Sequence, residues 1–202
     1  MAGDFATLGK RVERIDAFER LTGQAQFASD IYLPGMLYAK ILRSPHPHAR
    51  VKKVNLDRAK ALPGVKAILT AADVPAFAIH KGKGVDMTVM PVLAETARYV
   101  GDELLVVAAI DENTAEEAVR LIQIDYEILP FVLDPEKAAL PDAPKIYTTG
   151  NVVQEEADRL VRGDVEEGFR QADVILEDTY RTQMIQHVTL ETRITTASWS
   201  GG

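Results

Sequence analysis

The sequence predicts a mixed α+β (α/β) fold, and three adjoining stretches carry that prediction. Residues 104–110 are continuously apolar and rich in strand formers, residues 114–121 set Ala115, Ala118 and Val119 on one helical face with Ile122, and residues 122–129 alternate as Ile-Gln-Ile-Asp-Tyr-Glu-Ile-Leu. A strand, a helix and a strand follow one another in about 26 residues, the span of a compact α/β unit.

The remaining elements follow in chain order. Residues 1–15 are polar and weakly periodic and read as an arm. Thr22-Gly23 punctuates an alternating run over 24–32, and Leu33-Pro34-Gly35 supplies a turn before a second run over 36–42, so two strands are expected there. Ser44-Pro45-His46-Pro47-His48 cannot be helical, because each proline lacks a donor and biases the residue before it towards extended backbone. An ordered loop is expected, followed by a strand over 51–56, a short helix over 58–62 capped by Asp57 and stopped by Pro63-Gly64, and a strand over 65–69.

Residues 75–91 form the longest loop, a candidate for mobility or partner contact, and Asp111 and Asn113 cap the helix over 114–121. Pro135, Pro141, Pro144 and Gly150 place a linker over 134–150. Beyond it come strands over 152–162, 174–184 and 194–199, with a helix over 165–172 capped by Gly163-Asp164. The last strand bears the only tryptophan and runs into Ser200-Gly201-Gly202, a hairpin lacking its second arm, which leads to the expectation that the chain is a fragment or one piece of a divided protein.

Composition narrows the chemistry. The 202 residues contain no cysteine, which excludes disulfides, thiolate metal sites and a cysteine nucleophile within the chain. No stretch reaches the roughly 18 apolar residues of a membrane span and residues 1–14 lack a signal-peptide core, so a cytoplasmic location is expected, without membrane partners. The net charge of −7 hides an asymmetry: residues 1–100 carry 15 basic and 9 acidic groups, and residues 101–202 carry 8 and 21. Between Lys40 and Lys66 eight cations face only Asp57. This stripe reads as a solvated face or a dock for an acidic partner, not a nucleic-acid grip, since it lacks interleaved aromatics and the acidic half would repel a phosphate backbone.

Two histidine motifs merit weighing. His46 and His48 would point the same way in an extended strand and could share a metal, but no third ligand stands at a suitable spacing, so the loop is expected to hydrogen-bond and pack against another surface. His187 and Glu191, four apart, could form an acid–base pair on a helix, yet the segment reads as a loop leading to a strand. Arg43, Ser44, His46, His48, His187 and Glu191 are the candidate interface or pocket residues, with no catalytic or metal-binding residue assigned. Gly82-Lys83-Gly84 is not a phosphate loop, no GxSxG elbow occurs, and the pairs Glu116-Glu117, Glu155-Glu156 and Glu166-Glu167 read as solvated.

Taken together, residues 14–31 (RIDAFERLTGQAQFASDI) and 33–50 (LPGMLYAKILRSPHPHAR) closely resemble the amino-terminal part of the molybdenum hydroxylases, the xanthine dehydrogenase and aldehyde oxidase family. Leu62-Pro-Gly-Val, Val100-Gly-Asp-Glu, AEEAVRLIQIDYEILP over 115–130, Gly150-Asn-Val, Gly163-Asp-Val-Glu-Glu-Gly-Phe and Gln186-His-Val-Thr-Leu-Glu continue the resemblance at matching intervals. It implies an arm over 1–15, an α/β hammerhead domain over 16–133, the linker over 134–150, and over 151–202 the start of a molybdopterin-binding domain.

The resemblance further implies a molybdopterin, in its cytosine dinucleotide form, carrying molybdenum in the complete subunit, and iron–sulfur clusters and FAD in partner subunits. The family's pterin-holding glycine stretches, its glutamine near molybdenum and its glutamate base lie downstream of residue 202, so no cofactor is expected on this chain alone. Glu191-Thr192 stands where the family usually has Glu-Pro, a variation that resembles 4-hydroxybenzoyl-coenzyme A reductases. An aromatic acyl-coenzyme A, a purine, an N-heterocycle and an aldehyde stay open as small-molecule substrates. The implied role is the scaffold part of an oxidoreductase subunit, inactive alone; the alternative is a free-standing assembly module on the same fold.

Overall fold

The computed structural model describes residues 7–74, 91–148, 150–152 and 160–200. Among them, residues 35–175 make one compact unit, and residues 7–34 with 176–200 make another.

The larger unit is built on two three-stranded antiparallel sheets. One has the order β1 (Tyr38–Arg43), β5 (Glu103–Ala109), β3 (Val65–Thr70), and the other β4 (Thr96–Ala97), β2 (Ala49–Asn55), β6 (Gln123–Ile128). The Leu-Leu-Val-Val run of β5 makes it the central strand of its sheet, where both backbone edges find partners and both faces are covered. Its alternate residues serve two cores. Leu105 and Val107 join Ala59, Ala118 and Ile122, whereas Leu104 joins Ala94 and Ala97. Ile124 packs on both clusters and ties the sheets together.

Helix α3 (Glu112–Leu121) follows β5 and turns Ala115 and Ala118 inward, small side chains that let it lie close to the sheet. Asp111 caps it, accepting from the backbone N–H of Thr114 at 2.7 Å and from its hydroxyl at 2.8 Å. Helix α2 (Asp57–Ala61) begins one residue earlier than the sequence predicts. The side chain of Asn55 accepts the N–H of Asp57 at 3.0 Å, so Asp57 is the first helical residue and not the cap. Gly64, at φ +97°, then turns the chain into β3 beneath Ile110.

Beyond β6, the expected linker holds a short helix (Pro135–Ala138) capped by Asp134. Asn151 braces the turn that follows, donating through Nδ2 to the carbonyls of Ala138 (3.0 Å) and Pro144 (2.9 Å) and accepting from the N–H of Ile146 (2.8 Å). The helix Val165–Gln171 forms where expected, with Asp164 accepting from the N–H of Glu167.

Three expectations need correction. The run 24–32 is no strand: it contains a 3₁₀ turn at Ala28–Asp30, closed by Asp30 accepting the N–H of Phe27, and helix α1 (Ala17–Thr22) precedes it. Residues 174–184 and 194–199 form no strand either; Leu176, Tyr180 and Trp199 are largely exposed. Alternation supplies a face but no hydrogen-bonding partner, and a strand requires both. The expected loop over 75–91 and strand over 152–162 fall mostly outside the described residues, as do Gly82, Gly84 and Glu155-Glu156.

Candidate functional site

The loop between β1 and β2 is knit together by side-chain and backbone hydrogen bonds. Ser44, almost fully buried, is held at both backbone atoms: its N–H donates to the carbonyl of Asp102 and its carbonyl accepts the N–H of Gly101, each at 2.8 Å. Its hydroxyl donates to the carbonyl of His46 (2.9 Å) and accepts the N–H of His46 (3.1 Å), so one side chain closes the Ser-Pro-His turn. The His46 ring stands edge-on to Tyr126, with centroids 4.9 Å apart. His48, also buried, places Nδ1 2.7 Å from the carbonyl of Pro130, and its own carbonyl accepts the N–H of Leu129.

The two histidines are thus brought into one loop, but their rings go to different partners and do not converge. Among the described residues, no group of three or more histidine or acidic side chains is placed to hold a metal ion.

Arg43 leads into the loop and meets residues that sequence reasoning did not single out. Its Nη1 donates to Glu103 at 2.5 Å and to the carbonyl of Gly101 at 2.8 Å, while the Tyr99 hydroxyl donates to the other Glu103 oxygen at 3.0 Å. Burial opposes ionisation of Glu103, but hydrogen bonds from Arg43 and Tyr99 outweigh it and hold the carboxyl below its ordinary range. Partial burial, the hydrogen bond to Glu103 and the charge of Asp102 push the Tyr99 phenol up to about 12. The signal was available: Tyr99 to Glu103 crowd polar groups around Gly101, whose φ of +98° makes the turn, immediately before a buried strand.

Half of the basic stripe is paired within the fold. Lys40 pairs with Glu112 (2.5 Å), Arg43 with Glu103, and Arg50 and Lys52 with Glu127 (3.0 and 3.4 Å). Four of its eight cations therefore meet carboxylates of the acidic half, and Arg50 and Glu127 sit opposite each other across β2 and β6. Part of the charge asymmetry read from the sequence is thus internal complementarity.

His187 and Glu191 belong to the other unit, where both are exposed and where Val188 takes a left-handed φ of +41°. No helix unites them; the Thr189 hydroxyl donates to the Glu191 carbonyl at 3.1 Å. In that unit Asp16 accepts hydrogen bonds from Arg14 and Arg20, which bring it down to about 2.

A cleft of about 400 Å³ opens between the two sheets, floored by Val51, Val54, Leu104 and Ile124. Arg50, the cation at its rim, is already engaged by Glu127. The described residues thus offer neither a metal ligand set nor a free cationic cradle for a pyrophosphate in this cleft. No helix among them is long and apolar enough to cross a membrane.

Comparison with known proteins gives this geometry a context. Residues 22–130 match the a/b hammerhead domain of aldehyde oxidase and xanthine dehydrogenase, and residues 147–202 match a molybdopterin cofactor-binding domain. The chain is 39% identical to a probable xanthine dehydrogenase subunit of Bacillus subtilis (strain 168), over 89% of this chain and 24% of that protein. It is 36% identical to the nicotinate dehydrogenase large molybdopterin subunit of Eubacterium barkeri, over 95% of this chain and 44% of that one. Among solved structures, quinoline 2-oxidoreductase from Pseudomonas putida 86 superposes with a TM-score of 0.66 at 38% identity, covering 72% of this chain and 20% of that one. The chain therefore spans about a quarter of the length of the first of these curated relatives and less than half of the second.

Proposed function

Because the chain belongs to the aldehyde oxidase and xanthine dehydrogenase family, we propose that it is the amino-terminal part of the molybdenum-binding large subunit of a molybdenum hydroxylase. The observation that carries this reading is the succession, within one chain, of a hammerhead match and a molybdopterin-binding match. When bound in the complete subunit, the molybdopterin supplies the redox centre at which an electron-poor carbon is hydroxylated.

The described residues contribute scaffold chemistry. Sheet β1-β5-β3 and helix α3 share one packed core, and the Ser44-linked turn shapes the Pro45 to His48 loop for a neighbouring surface. Arg43 and His46, which stay accessible, are the interface residues of this proposal, with Ser44 and His48 buried beneath them to hold the loop's shape, and His187 and Glu191 are its pocket candidates. On the family resemblance, the complete enzyme works in the cytoplasm, carries the cytosine dinucleotide form of the pterin, and passes electrons to iron–sulfur and FAD subunits. A nitrogen heterocycle is the substrate class of this proposal, in keeping with the relatives named for xanthine, nicotinate and quinoline, while others are named for carbon monoxide or aldehydes.

Metal analysis tests the reading. The reading frame that contains this chain, expressed with its neighbours, should yield a complex with about one molybdenum per large subunit, while the 202-residue chain alone should hold none above background. A frame that encodes no further pterin-binding region, with no molybdenum in any product, would instead establish the free-standing assembly module.

A further inference from the structure

The strongest unexplained feature of the larger unit is Arg98, just beyond β4. Its Nε is buried and has no hydrogen-bond partner, and its guanidinium carbon lies 5.3 Å from the centre of the Tyr147 ring. An orphaned buried N–H of a charged group is costly unless something replaces water. The face of an aromatic ring does so, since its quadrupole attracts the cation and accepts a weak N–H contact.

Both partners are themselves pinned. The backbone N–H of Arg98 donates to Asp102 at 2.9 Å, and Asp102 is buried in the turn that holds Ser44. Tyr147 sits in the turn braced by Asn151 and accepts the N–H of Gly150 at 2.9 Å. Arg98 lies within the hammerhead match, whereas Tyr147 is the first residue of the molybdopterin-binding match and Asn151 follows close behind.

We propose that Arg98 and Tyr147 form a clasp that, with Asn151, fixes the first turn of the molybdopterin-binding domain onto the hammerhead domain. The planar guanidinium is required, because it lies over the ring and keeps Nε dry, and the ring face is required where the phenol hydroxyl is not. This inference rests on the family boundaries and not on the enzymatic activity proposed above.

Amide hydrogen exchange on the full 202-residue chain tests it. The N–H groups of Ile146 and Gly150 report the turn, and those of β5 report the body of the fold. Tyr147→Leu and Arg98→Met should each accelerate exchange at Ile146 and Gly150 by about tenfold, with β5 unchanged and Tyr147→Phe like the parent. Asn151→Ser should release Ile146 directly and confirms that the probe reads the turn. Unchanged exchange at 146 and 150 in Tyr147→Leu and Arg98→Met would overturn the clasp. So would acceleration in β5 by the same factor, or a Tyr147→Phe variant as fast as Tyr147→Leu. A complete subunit without molybdenum would sink the functional proposal and leave these rates untouched.

Discussion

Arg43 and Glu103, 60 positions apart in sequence, face each other at the ends of paired strands β1 and β5 with 2.5 Å between Nη1 and Oε1. Tyr99 completes the group from the other carboxylate oxygen. The Tyr99 phenol, pushed up to about 12, favours the folded state below its unfolded value near 10, and that contribution disappears as pH rises from about 10 to about 12. Glu103 has the opposite sign. Its lowered value stabilises the fold above the ordinary glutamate range, and the gain is lost as pH falls through the folded value. Ultraviolet titration of the phenols should therefore show Tyr99 ionising late, alongside Tyr126, which burial also pushes up, and Glu103→Gln should move the Tyr99 part of that late amplitude back towards 10. A Tyr99→Phe variant that still shows a late tyrosine of the same amplitude would refute the assignment.

Gly64 gives a prediction in which sterics and backbone separate. A Cβ at this position would stand 2.9 Å from Cγ1 of Ile110 and 3.2 Å from Cγ2 of Thr114, on a residue at φ +97°. Gly64→Ala should destabilise the larger unit by about 1–3 kcal/mol from backbone strain, with the clash adding to it. Urea denaturation of Gly64→Ala in an Ile110→Ala background should recover the steric part only.

Among the described residues, Leu105 and Val107 are the largest fully buried side chains, and they lie in the central strand of their sheet. Leu105→Ala should cost about 3–5 kcal/mol, because β5 is flanked on both sides and the surroundings cannot collapse into the gap. The larger unit should then unfold at markedly lower urea, while Leu69→Ala, at a half-exposed position of β3, should change the midpoint little.

What the sequence disclosed and what it hid follow one physical line. The β5–α3–β6 unit was legible because strand patterning, the Asp111 cap and helical periodicity agree over neighbouring residues. The Ser44 to His48 loop was legible because two prolines leave few conformations. Residues 174–184 misled for the same local reason: their alternation describes a face, whereas strand pairing depends on residues far away in sequence. Arg98, Tyr99 and Tyr147 escaped because a guanidinium over a ring and a carboxylate shared by two donors are long-range coincidences that no spacing records. His46 and His48 lie in the loop that their neighbouring prolines dictate, but their separate partners, Tyr126 and Pro130, emerge only when β6 is placed beside β2.

Ser44 and His46 allow the folding role of the loop to be separated from its proposed role at an interface. The Ser44 hydroxyl satisfies both polar backbone atoms of His46, so Ser44→Ala leaves a partly buried N–H and carbonyl without their partner. A loss of about 1–2 kcal/mol is expected, with faster amide exchange at His46 and His48. His46 contributes only an edge-on ring contact with Tyr126, so His46→Ala should lower stability by less than about 1 kcal/mol. If the loop is an interface, His46→Ala should nevertheless weaken assembly of the complete large subunit with its partner subunits, as read by sedimentation of the co-expressed complex. Assembly indistinguishable from the parent in His46→Ala, together with loss only in the unstable Ser44→Ala, would restrict the loop to a folding role.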